Sequence, residues 1–278
     1  MIDAKKYLDN FYKGNRNLSL DAMKYFMDEY KDLQKEIKFI HIAGTNGKGS
    51  CIEMISNILV CQGYKVGKTI SPHLINYNER IVINGKTISD VELSELIEEL
   101  EPKIEKYNKI SNHKITLFEL ETMMEMLYFY KNKVDFAVIE TGLGGRYDST
   151  NIIAHPVVSI ITSIGHDHMH ILGETLPEIA THKAGIIKEN SNTIVYKQED
   201  EVNKIFIEEC KMKKNKLSII NPQEIKNYRY DENYQYFDYK DLKEKVLDKK
   251  IFPGKRKDIC GLCVWNEICE NKHYIKNT

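Results

Sequence analysis

The stretch that most constrains this chain is His41-Ile42-Ala43-Gly44-Thr45-Asn46-Gly47-Lys48-Gly49-Ser50. An apolar run over residues 39–43 leads into it, and beyond the glycines Ile52, Ile55, Ile58 and Leu59 recur at helical spacing. Strand, glycine turn and helix start make a cradle for phosphate. A helix N-terminus leaves backbone N–H groups unpaired and carries the positive end of the helix dipole. Glycine lets the backbone close around an anion without a Cβ in the way. In such a loop Lys48 supplies a mobile charge for the outer phosphates, and the Ser50 hydroxyl reaches a magnesium ion. The spacing departs from an ordinary Walker A loop, because Gly49 stands between the lysine and the serine.

The rest of the pattern alternates helix and strand. Residues 21–35 read as a helix delivering the chain to a first strand at 37–43. A second strand at 64–70 ends in Ser71-Pro72-His73-Leu74, and a third follows at 81–83, with Asn84-Gly85 as a turn. Ser89 and Glu92 form a capping box for a helix whose inner face is Leu93, Leu96, Ile97 and Leu100. Residues 116–130 form a helix whose methionine and aromatic stripe reads as core. Residues 134–140 are a near-continuous apolar strand suited to the centre of a parallel sheet, and the last of them, Glu140, is a carboxylate. A second glycine-rich loop covers 141–151, and a strand at 157–164 runs into Gly165-His166-Asp167-His168. This describes an α/β fold with a mostly parallel sheet and helices on both faces, whose ligands sit at the C-terminal ends of the strands. Lys48, Ser50, Ser71, Glu140 and His168 are expected to converge there.

At 278 residues the chain needs no disulfide staples to bury a core. Its net charge of -1, with 29% charged residues, gives no reason to expect nucleic acid or an anionic membrane as a partner. No apolar run approaches the roughly 20 residues of a membrane span, and the N-terminus lacks a signal peptide's apolar core. A cytoplasmic protein is expected. Cys51, Cys61 and Cys210 fall in helices and read as reduced, buried packing residues.

Five motifs carry a resemblance: Gly44-Thr45-Asn46-Gly47-Lys48-Gly49-Ser50, Ser71-Pro72-His73-Leu74, Glu140-Thr141-Gly142-Leu143-Gly144-Gly145, Asp167-His168 and Lys183-Ala184-Gly185-Ile186. In this order and spacing the chain resembles folylpolyglutamate synthases of the Mur ligase superfamily, from near residue 5 to about residue 240. The resemblance implies a P-loop domain of Mur-ligase type over residues 1–242 and ATP-dependent amide formation. A folate carboxylate takes the γ-phosphate, and the amino group of L-glutamate displaces it. The resemblance places magnesium at Ser50, Glu140 and His168, with Ser71 nearby, and a carbamylated lysine at Lys183. It sets the reduced folate against the 71–80 loop, where Ser71, Pro72 and His73 match the family, and leaves Arg80 either pairing with an anionic group or serving as a structural charge. His166 and His182 depart from the family pattern. Dihydropteroate is used by relatives with the same motifs, so dihydrofolate synthase activity stays open.

Beyond residue 242 the family pattern stops. No His-Gln motif and no second α/β domain follow, so the sequence alone also allows a truncated ATP- and magnesium-binding remnant, or a partner that supplies the second domain. Residues 243–278 carry Cys260, Cys263 and Cys269, with spacing suited to zinc or an iron–sulfur cluster. The segment resembles the terminal cysteine segment of PD-(D/E)XK iron–sulfur nucleases. His273 or Cys210 would be the fourth ligand of a metal-binding module, the remaining alternative.

Overall fold

A computed structural model of the chain describes residues 2–14, 19–230 and 235–239. In chain order, α1 (Ala4–Asn10), α2 (Asp21–Glu29) and α3 (Leu33–Glu36) precede β1 (Lys38–Ala43), and α4 (Lys48–Cys61) leads to β2 (Val66–Thr69). A hairpin of β3 (Ile81–Ile83) and β4 (Lys86–Thr87) follows, then α5 (Asp90–Ile110), α6 (Leu117–Lys131) and β5 (Phe136–Glu140). Next come β6 (Val158–Ile161), α7 (Met169–Leu172), α8 (Leu176–Ala184), β7 (Asn192–Tyr196), α9 (Asp200–Met212) and β8 (Lys216–Ile220). An antiparallel ribbon of β9 (Ile225–Tyr230) and β10 (Gln235–Tyr239) stands apart from the sheet, where aromatic and polar residues alternate.

The sheet runs β4-β3-β2-β5-β1-β6-β7-β8, parallel from β2 to β8, with β3 and β4 antiparallel at one edge. β1 is central. The chain leaves it through α4 towards β2 and later crosses from β5 on one side to β6 on the other, which opens a crevice beyond the C-terminal ends. Because side chains alternate along a strand, Ile40 and Ile42 face α4 and pack with Ile52, Leu59 and Val138. Phe39 and Ala43 face the other side. Phe39 joins the large cluster built by α2, α5 and α6, and Ala43 joins Ile161, Val195 and Phe206 beneath α8 and α9.

The helix expected over 21–35 breaks in two. Tyr30 leaves helical geometry at φ -123°, ψ 56°, and its hydroxyl donates to Glu99 on α5 at 2.8 Å. The bend puts Phe26 and Leu33 into the same cluster before the chain enters β1. Several strands are shorter than the apolar runs suggest, β1 and β5 at their N-terminal ends and β2 and β6 at both. At the C-terminal end of β2 the chain turns into the site: Ser71 N–H, one residue beyond the expected second strand, donates to Glu140 instead of a neighbouring strand. On α6 the expected core face is present, but Glu119, Glu121 and Glu125 are buried within it. Glu119 is there as a cap, its carboxylate accepting from the N–H and hydroxyl of Thr116. Cys51 and Cys61 are half-buried and Cys210 buried; none of the three is in a disulfide. No helix among the described residues is long and apolar enough to cross a membrane.

Candidate active site

The phosphate loop turns through Gly47 at φ 85°, so that α4 begins on Lys48. Gly44, at φ 149°, has no room for a side chain: a Cβ would lie 1.8 Å from Thr162 Oγ1. Thr45 ties the loop to the end of β6, its N–H donating to Ser163 O at 2.7 Å and its hydroxyl to Gly165 O at 3.1 Å. Lys48 Nζ donates to Gly44 O at 3.1 Å and lies 3.8 Å from Glu140 Oε1. The ammonium thus curls back on its own loop, donating to Thr45 O as well at 3.3 Å.

Glu140 ends β5 and is held from both sides. Its N–H donates to Thr69 Oγ1 at 3.1 Å, and its Oε2 accepts the Ser71 N–H at 2.8 Å. Burial pushes its carboxyl above the usual range, against the opposing pull of the Ser71 N–H and of Lys48. A buried carboxylate facing a phosphate loop is a hard oxygen donor, and with the Ser50 hydroxyl it fits magnesium in kind.

Lys183, near the C-terminal end of α8, is 2% exposed and donates from Nζ to Gly44 O at 2.8 Å. Burial first, and then the charge of Lys48, lower its pKa from 10.5 to about 8, against Asp167 and Asp148. A fraction of this lysine is therefore a neutral amine near neutral pH. The 141–151 loop meets α8 backbone to backbone. Arg146 N–H donates to His182 O at 2.8 Å, a Cβ on Gly145 would stand 2.8 Å from His182 O, and one on Gly185 would stand 2.4 Å from Arg146 Cα.

The 71–80 loop is braced from within, because Glu79 accepts the N–H groups of Leu74, Ile75 and Asn76 at 2.8–3.1 Å. Arg80 serves as a structural charge in this arrangement: Nε donates to His73 Nδ1 and the guanidinium to Glu121, both at 3.0 Å. Tyr77 OH donates to the same carboxylate at 3.2 Å. One turn further along α6, burial and then Glu121 hold the Glu125 carboxyl well above the usual range.

Of the five residues expected to converge, the structure joins Lys48, Ser71 and Glu140. Ser50 is exposed on the first turn of α4. His168 opens α7 at φ 47°, its ring 3.5 Å from Asp167 and half-exposed. Neither hydrogen-bonds Glu140, and no group of three or more His, Cys, Asp or Glu among the described residues stands ready to hold a metal ion. In a P-loop site such a group is completed by phosphate oxygens. Cys260, Cys263, Cys269 and His273 lie outside the described residues. Cys210, the other suggested fourth ligand, is packed with Phe206 and Val195, and burial raises its thiol to about 11, which suits a packing residue and not a metal ligand. The sequence reading missed His41, Asp148 and Thr150, which are buried and hydrogen-bonded to one another. A histidine inside an otherwise apolar strand was the available signal.

The profile of the Mur ligase middle domain matches residues 42–254. The chain belongs to the Mur ligase family. It is 46% identical over 188 residues to a dihydrofolate synthase/folylpolyglutamate synthase of Bacillus subtilis, covering 67% of this chain and 44% of that protein. It is 42% identical over 156 residues to a folylpolyglutamate synthase of Lacticaseibacillus casei, covering 56% of this chain and 36% of that one. Among solved structures, a folylpolyglutamate synthase in complex with AMPPCP and folate superposes with a TM-score of 0.77 at 29% identity, over 84% of this chain and 57% of that chain. The enzyme of Thermotoga maritima gives 0.73 at 34%, over 84% and 53%. The chain thus spans less than half the length of the two curated relatives.

Proposed function

We propose that this chain serves an ATP-dependent ligase that adds L-glutamate to a reduced folate through an acyl phosphate. The observation that carries the reading is the meeting of Lys48, Glu140 and the Ser71 N–H at the mouth of the glycine loop. A carboxylate is a poor acyl donor. Transfer of the γ-phosphoryl group to its oxygen releases ADP and gives it a leaving group. Attack by the glutamate amine then forms the amide and releases phosphate and a proton. Positioning and charge neutralisation are what a protein adds to such steps.

In this reading the N–H groups of residues 44–50 cradle the phosphates, and Lys48 leaves Gly44 O to meet the outer ones. Ser50, Glu140 and His168, with Ser71 beside them, would hold magnesium, which would supply charge to offset the phosphates. The neutral amine of Lys183, of which a pKa of about 8 leaves a reactive fraction, adds to carbon dioxide and releases one proton, giving an N-linked carbamate. The loop from Ser71 through Pro72 and His73 to Arg80 receives the folate; Arg80 acts by shaping it, since its guanidinium is engaged by Glu121. The lack of disulfides at Cys51, Cys61 and Cys210 suits a reducing compartment such as the cytoplasm. A second reading, addition of glutamate to dihydropteroate, is favoured by the double name of the Bacillus subtilis relative.

The test is ADP release by the purified chain with ATP, magnesium, L-glutamate and either tetrahydrofolate or dihydropteroate, each omitted in turn. Release that needs glutamate and one of the two pterins supports the reading and chooses between them. ATP binding without turnover counts against catalysis by this chain. Lys48→Ala serves as the blank and is expected to weaken ATP binding at least tenfold with an unchanged unfolding midpoint; unchanged ATP affinity would sink the assignment of the phosphate loop.

A further inference from the structure

His41 lies on β1 between Phe39 and Ala43 and is fully buried. Those two neighbours belong to the two apolar clusters on that face, so an aliphatic side chain at position 41 would simply join them. An imidazole there loses hydration, and its Nδ1 has no hydrogen-bond partner. Its Nε2 lies 2.8 Å from Thr150 Oγ1. That hydroxyl gives its proton to Asp148 Oδ1 at 2.5 Å, so it can only accept from the ring, which fixes the proton on Nε2. Asp148 Oδ1 also accepts the Thr150 N–H at 3.1 Å, and its Oδ2 accepts the Leu143 N–H at 2.7 Å.

Directly opposite His41 in the register, Ser159 on β6 donates to Ile186 O at 2.8 Å. Two buried polar side chains on adjacent strands therefore hold the two segments that meet backbone to backbone beside Lys183. Burial keeps the imidazole neutral, its pKa lowered to about 3, so the relay does not change with pH over the working range.

We propose that His41 is a positioning residue: through Thr150 and Asp148 its Nε2–H fixes the 143–150 loop against α8, and so fixes the Lys183 Nζ at the phosphate loop. His41 touches neither nucleotide nor substrate. The relay is a property of the folded chain; only its weight in turnover rests on the ligase reading.

Amide hydrogen exchange of the full chain without ligands tests it. Thr150→Val keeps the shape and removes the hydroxyl, and His41→Leu removes the ring donor. Each is expected to speed exchange over 143–150 at least tenfold while β1 and β5 keep their wild-type protection. His41→Gln, whose amide nitrogen can stand where Nε2 stands, should remain within twofold of wild type. The double variant His41→Leu/Thr150→Val should exchange no faster than Thr150→Val alone, since both cut one chain. In the same variants the pH midpoint for acylation of the Lys183 amine, read by mass spectrometry, should rise with Leu and Val and hold with Gln. Wild-type loop exchange in Thr150→Val, equal acceleration across the sheet, additivity in the double variant, or no rescue by Gln would each overturn the proposal. Failure of the ligase reading would appear separately, as absent turnover in the wild-type chain.

Discussion

Replacing Lys183 by Met gives a test whose size follows from the burial of one ammonium. The folded pKa of about 8, against 10.5 for the free side chain, means that the unfolded chain binds the proton more tightly. At 1.36 kcal/mol per pH unit, the native state carries a cost of about 3 kcal/mol below pH 8. Because the unfolded state holds more protons between pH 8 and 10.5, wild-type stability rises with pH through that window and the cost is gone at its upper end. Methionine keeps the stem's volume and drops the charge. It also loses the hydrogen bond to Gly44 O, worth ~1 kcal/mol, but that carbonyl still accepts from Lys48. The variant should therefore be more stable than wild type by about 2 kcal/mol at pH 7, with the gap closing by about 1 kcal/mol between pH 8 and 9. Urea unfolding in decarbonated buffers at pH 7, 8, 9 and 9.5 measures both. Packing differences do not depend on pH, so a gap that stays constant across the series would refute the argument whatever its size.

Glu125→Gln probes a carboxyl of the opposite kind. A raised folded pKa gives stability that is full below the unfolded value of about 4.3 and lost as pH rises towards neutral, so the advantage of Gln should grow from pH 4 to pH 7; an advantage that shrinks would contradict the burial. Gly185→Ala puts a Cβ against Arg146 Cα and should cost about 2 kcal/mol or more in unfolding free energy, as overpacking against backbone does; a neutral result would mean that the loop and α8 separate freely. Glu140→Gln is expected to weaken ATP binding with magnesium several-fold more than binding without it, and equal losses in titrations with and without the metal would remove Glu140 from the cation site.

The strand-turn-helix at 41–50, the apolar strand ending on Glu140 and the capping box at Ser89 were legible because each is written in adjacent residues. The meeting of Lys48 with Glu140 also followed, once parallel strands were assumed to end at one crevice. What remained hidden lies between segments far apart in sequence. The pairing of Arg80 with Glu121 joins positions 41 apart, and His41 finds Thr150 at a separation of 109. No local period distinguishes Glu121, which binds a guanidinium, from a solvated helix glutamate. Ser50 and His168 were expected at the centre of the site because they match a motif, yet the fold leaves both exposed, and a motif match does not carry the orientation of a side chain.

The 71–80 loop leaves Leu74 and Ile75 standing 91% and 93% exposed at the lip of the crevice. Glu79 holds that shape through backbone N–H groups, so neither apolar side chain supports it. Position 75 is accordingly a place to attach a fluorophore through an introduced cysteine at almost no expense in stability. A dye carried there, on a braced loop and in open water, would report by quenching or anisotropy when anything settles into the crevice.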